Sequence, residues 1–124
     1  MPHPLADHAW RAICAAYARP GAAQELLRRQ DEEGLDVLLH LFAQWARDSG
    51  HALDDAALRE AEAAVQPWRD AAVRPLRALR RGMKAFGPRA EAARQAVKDA
   101  ELAAERAQLD LLCDWLTARH GGGG

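Results

Sequence analysis

Asp31, Glu32, Glu33 and Asp36 crowd four carboxylates into the stretch RQDEEGLD, and His40 follows Asp36 by one helical turn. Acids and an imidazole so spaced are the raw material of a metal site or of acid–base catalysis. Further along, steps of about 100° per residue place Arg74, Arg77, Arg81 and Lys84 on one helical stripe, with Arg80 at its edge. Guanidinium groups in a row suit carboxylates, phosphates or a nucleic-acid backbone, because each fork can donate two parallel hydrogen bonds. A third row, Arg94, Lys98, Glu101 and Glu105, runs on into Leu109, Leu112 and Leu116. A charged row continuous with an apolar one is expected to be partly buried. Glu101 and Glu105 are therefore expected to accept from arginines of the preceding helix, with both stripes as ordinary wet surface the alternative.

Several chemistries find little support. Asp36 and His40 can share a helix face near Glu33, but no ExxH or HxxxH pair elsewhere completes a ligand set, so neither metal nor any other cofactor is expected. Ser49 and Thr117 fall at helix ends with no histidine and carboxylate arranged around them, which argues against nucleophilic catalysis. No Gly-rich cradle or Walker pattern accompanies the arginines. Nucleic-acid contact needs aromatic platforms beside the bases, and Trp68 is expected to point inward, so that partner is disfavoured and stays only as a contact through the Arg74 to Lys84 stripe.

The elements that must carry these rows are helical throughout. β-branched residues are scarce, Ala, Leu, Arg and Glu dominate, and apolar residues recur at three and four positions. Trp10, Ile13, Cys14 and Tyr17 define the buried side of a first helix over about residues 5–19, stopped by Pro20-Gly21. A second helix runs to Glu33. Gly34 can close it in the left-handed conformation, and Asp36 can cap the next, so EGLD is a joint between helices. The acids at 31–33 then sit where the helix dipole disfavours negative charge, so compensating bases are expected.

The third helix, to about Ser49, buries Val37, Leu38, Leu41, Phe42 and Trp45, and Leu53, Asp54 and Leu58 form a staple and cap for the fourth. Pro67 suits the start of a further helix that turns Trp68, Leu76, Leu79 and Met83 inward, with a kink or break near Arg74 caused by Pro75. A long final helix over about residues 89–119 has Ala93, Val97, Ala100, Ala104 and Leu111 as its apolar row. These readings give an all-α fold, a compact bundle of five to seven helices with one long C-terminal helix. Residues 1–120 form one domain and 121–124 a flexible glycine tail.

Composition narrows function further. The net charge is -1, but residues 31–62 hold nine acids and two bases, while residues 69–89 hold seven bases and only Asp70. Such segregation favours a partner of complementary charge over bulk attraction to nucleic acid. Cys14 and Cys113 are too isolated for a zinc or disulfide framework and are expected as buried thiols. The N-terminus lacks the basic start and apolar run of a signal peptide, and no segment reaches a bilayer's span, so a cytoplasmic protein without membrane contact is expected.

Tyr17, Pro20-Gly21, QDEEGLDV at 30–37, WRDAAVRPLRALRRGMK at 68–84 and VKDAELAAER at 97–106 together resemble an uncharacterised proteobacterial family of small all-helical proteins. That domain-of-unknown-function group carries an LQD-x-x-G-x-D-V-N element, in which Arg29 and Leu38 here replace the leucine and the asparagine. The resemblance implies a helical fold and assigns no activity. Its polar positions correspond to Gln30, Asp31, Gly34, Asp36, Arg69, Arg77, Arg80, Lys84, Lys98, Glu101 and Glu105.

The reading favoured on these grounds is a non-enzymatic interaction or accessory module, with a protein partner or a second copy of itself. A ligand-binding protein or enzyme, with a pocket near Gln30, Asp31, Gly34, Asp36, Trp68, Arg69 and Arg77, is the alternative. Convergence of those side chains on a partly apolar cleft would favour the alternative, and an interlocked core would not.

Overall fold

The computed structural model describes residues 3–121, and of these the side chains up to Arg119. The elements are α1 (Pro4–Tyr17), α2 (Ala22–Glu33), α3 (Val37–Asp48), α4 (Asp55–Trp68), a π-helical turn (Arg69–Val73), α5 (Arg74–Met83), a 3-10 segment (Lys84–Ala90) and α6 (Glu91–Gly121). No strand occurs among the described residues. The structure has four helices in place of the five to seven expected, counting α4, the π turn, α5, the 3-10 segment and α6, which follow one another without a gap, as one. The excess came from treating prolines as breaks. Pro67 lies inside α4, and Pro75 sits in the first turn of α5 behind the π turn, where Arg74 N–H reaches back to the Arg69 carbonyl. The wider π turn takes up the missing amide without ending the helix. The reversal needed between α5 and α6 falls instead at Gly87, whose φ of 69° and ψ of -153° belong to glycine.

Local chemistry accounts for the other ends. Asp36 and Asp54 occupy extended backbone before α3 and α4, and their carboxylates accept from the amides of Leu39 at 3.1 Å and Ala57 at 2.8 Å. Gly34, at φ 70°, closes α2, and the next amide, of Leu35, returns to the Arg29 carbonyl. The tail expected at 121–124 lies outside the described residues except for Gly121, which is the last residue of α6.

Burial divides the molecule into an apolar end and a charged end. Ala6, Ala9 and Ile13 of α1, Leu41, Phe42 and Trp45 of α3, and Ala57, Ala61 and Val65 of α4 enclose Leu109, Leu112, Cys113 and Leu116 of α6. The alanines at four-residue spacing on α4 let α6 approach closely. Toward its N-terminus α6 leaves this core and packs along α5, which has no buried residue.

Several apolar positions differ from expectation. Leu79 is 52% exposed, because the face of α5 turned to α6 is held by guanidinium groups and leucine is rotated away. On α6 the buried row is Glu101, Ala104, Gln108, Leu112 and Leu116, while Ala93, Ala100 and Leu111 are exposed. A carboxylate and an amide occupy core positions there, so a search for apolar side chains alone misplaces the stripe. Cys14 is exposed, and only Cys113 is buried. Among the described residues no helix is long and apolar enough to cross a membrane.

Candidate functional site

A cleft of about 580 Å³ opens where the apolar and charged ends meet. Ile13 and Tyr17 of α1, Leu27 and Gln30 of α2, and Leu35 and Leu38 around the α3 cap form one side. Arg69 and Val73 of the π turn, Arg77 and Arg80 of α5, and Glu101, Leu102, Glu105 and Gln108 of α6 form the other. Residues far apart in sequence thus supply a wall that is partly aliphatic and a floor of paired charges.

Asp36 ties the floor together. Besides capping α3, it accepts from Gln108 Nε2 at 3.0 Å and pairs with Arg69 at 2.5 Å. Arg69 is 6% exposed and also pairs bidentately with Glu62. Burial alone would lower the pKa of that guanidinium, but Glu62 and Asp36 outweigh it. Arg69 opens the π turn, and the extra residue of that turn shifts the side chains that follow it, those of Arg77 and Arg80 on α5 included.

The second cluster joins α5 to α6. Arg80 donates to Glu101 at 2.5 Å, and Arg77 donates to Glu101 and to Glu105, both at 3.2 Å. Burial pushes the Glu101 carboxyl up, yet hydrogen bonds from Arg80 and Arg77 more than offset this and hold it below the ordinary carboxylate value. At Glu105 the balance is reversed. Burial raises its pKa, Arg77 opposes the rise only in part, and the charges of Glu101 and Asp36 add to it. Burial also raises the Tyr17 hydroxyl, with Glu105 contributing.

Gln30, Gly34, Asp36, Arg69, Arg77, Arg80, Glu101 and Glu105 therefore meet at one cleft. Two residues expected there are elsewhere. Asp31 is exposed and pairs with Arg81 at 2.7 Å, and Trp68 sits 36% exposed with its indole N–H donated to the Ala104 carbonyl at 2.8 Å. A helix-start reading of Pro67 turned Trp68 inward, but the continuous helix carries it round to the groove beside α6. Lys84 is exposed and Lys98 half-buried, and neither lines the cleft. Missed at the sequence level were Glu62, which lies five residues before the Pro67 taken as the start of a further helix, and Gln108, which with Asp110 flanks Leu109.

The acids at 31–33 are joint residues, Asp31 paired with Arg81 of α5 and the other two with partners on their own helix. Arg28 reaches Glu32 at 2.6 Å and Glu33 at 3.3 Å, which supplies the compensation the helix dipole calls for. His40 is half-buried, and no three His, Cys, Asp or Glu side chains among the described residues are grouped to hold a metal ion.

Comparison with known proteins adds one result. A family model described as a protein of unknown function, DUF2390, matches residues 8–112. The chain belongs to this family. The match begins in α1 and ends in the buried part of α6, so the DUF2390 region contains every residue that lines the cleft. Neither a curated protein nor a solved structure matches the chain.

Proposed function

We propose that this DUF2390 protein is a cytoplasmic, non-enzymatic accessory module that works by binding a small molecule in the cleft. The observation that carries the reading is convergence: six separate elements place polar groups around one partly apolar volume of about 580 Å³, within the ordinary range of small-molecule sites. A binding role fits the chemistry of the floor, because its carboxylates are committed to arginines instead of standing beside a nucleophile. The test is native mass spectrometry of protein purified from its own source, followed by extraction and identification of any released compound. A stoichiometric adduct lost from a variant with Val73→Trp, which fills the cleft, is the expected result. Protein that carries nothing, and whose melting temperature no compound in a metabolite library raises, would refute the reading.

A second reading, docking to a protein partner or to a further copy of the chain, is supported by Leu79 and Phe86. They are 52% and 74% exposed beside the basic residues Arg81, Lys84 and Arg89. Mass in solution and partner capture at low and high salt test it, and a strictly monomeric protein with no salt-sensitive partner would count against it.

A further inference from the structure

At the floor of the cleft, donors exceed acceptors. Among the described residues Nη1 of Arg77 and Nη1 of Arg80 donate to no acceptor, and Nε of Arg69 is buried without a partner. The carboxylates are nearly used up. Both oxygens of Asp36, of Glu62 and of Glu101 already accept, and Oε1 of Glu105 accepts from Arg77, which leaves Oε2 of Glu105. The rim is apolar by contrast, with Leu27 at 42% and Leu102 at 53% exposure.

Building on the reading of the cleft as a small-molecule site, we infer that its ligand is a small amphipathic monoanion. Its carboxylate is taken by the unspent N–H groups of Arg77 and Arg80, and its apolar body lies against Leu27 and Leu102. A carboxylate brings two acceptor oxygens, one for each of the two unspent Nη1 groups, which the single oxygen of a hydroxyl or an ammonium group cannot supply. An ammonium head would find one unspent carboxylate oxygen and a surplus of cationic donors.

Glu105 removes the remaining electrostatic objection. It is faced by Tyr17 from α1, Asp36 from the α3 cap, Arg77 from α5 and Glu101 on its own helix, and its pKa is already raised, chiefly by burial. An arriving anion pushes it further in the same direction, so the ligand's charge favours the neutral form of Glu105 and the repulsion between the two carboxylates is lessened.

The experiment titrates the full-length, isotope-labelled protein with octanoate, 1-octanol and octylamine at pH 7, following amide chemical shifts. Octanoate is expected to bind at least tenfold more tightly than 1-octanol, and octylamine more weakly than either, with shifts centred on the cleft. If 1-octanol or octylamine equals or exceeds octanoate, the anion assignment falls while the cleft remains a binding site. If none of the three binds, the anion assignment falls, and the cleft as a small-molecule site stands or falls by the adduct and metabolite-library test. Leu102→Glu, at an exposed position the fold tolerates, should weaken octanoate at least tenfold, as should Arg77→Met. Unchanged octanoate affinity in the folded Leu102→Glu protein would overturn the placement.

Discussion

Replacing Glu101 by glutamine keeps the shape of the side chain and removes the charge on which Arg77 and Arg80 both depend. Glu101 is 7% exposed, and the two arginine side chains are each 23% exposed, so their lost partner is not readily replaced by water. Breaking a fully buried ion pair from one side costs about 3–5 kcal/mol. Partial exposure of the arginines and the remaining bond from Arg77 to Glu105 reduce this to roughly 2–3 kcal/mol for Glu101→Gln. At about 4 °C per kcal/mol for a chain of this size, the melting temperature should fall by about 8–12 °C. Urea unfolding at pH 7, followed by tryptophan fluorescence and helical circular dichroism, measures the difference directly. The control is Glu60→Gln, which breaks the exposed pair with Arg119 at 2.5 Å and should cost no more than about 1 kcal/mol. Equal stability of the Glu101 and Glu60 variants would refute the argument that the charged end is held together by buried ion pairing.

Four further outcomes follow from the same geometry. Arg69→Met should destabilise by about 3–5 kcal/mol in urea unfolding, since it leaves Asp36 and Glu62 without their shared guanidinium, and Arg69→Lys should rescue only part of this because one ammonium cannot reproduce the fork. Asp54→Ala should cost about 1 kcal/mol by the same measurement, through loss of the α4 cap. A thiol reagent should modify exposed Cys14 quickly at pH 8. It should reach Cys113, which is buried and whose pKa is pushed up, chiefly by burial, to about 12, only on unfolding, so mass spectrometry should show one adduct on the native protein.

Stability against pH should show two opposed contributions. Glu101, with its folded-state pKa held below the ordinary value, contributes stability that is present above the unfolded carboxylate pKa and is lost as the pH falls through its own lowered value. Glu105, with a raised folded-state pKa, contributes stability that is present below the unfolded value and is lost as the pH rises through its own. Glu105→Gln should therefore flatten the weakly acid side of the profile, and Glu101→Gln the strongly acid side. Urea unfolding at a series of pH values separates them.

Much of the architecture was legible without coordinates because helices are written locally. Three- and four-residue recurrence of Leu, Ala and Trp placed α1, α2, α3 and the long α6 close to their observed bounds, and Gly34, Asp36 and Asp54 marked ends through conformations and hydrogen bonds that involve only near neighbours. The charge rows on α5 and α6 were also visible, since sign and spacing lie in the sequence itself. Their rotation about the helix axes was not. Glu101 and Gln108 take core positions because Arg77, Arg80 and Asp36 come from other elements to satisfy them.

The sequence by itself determined the helices, their caps and the separation of acidic from basic stretches, all of which rest on interactions within a turn or two of chain. Only the tertiary structure decided that α4 passes through Pro67 into a π turn, that Arg69 is delivered to Asp36, and that α1, α2, α5 and α6 stand apart to leave a cleft. The physical reason is desolvation. A buried guanidinium or carboxylate is tolerable only where a partner distant in sequence meets it, so which charges are surface and which are floor is settled by packing and not by pattern.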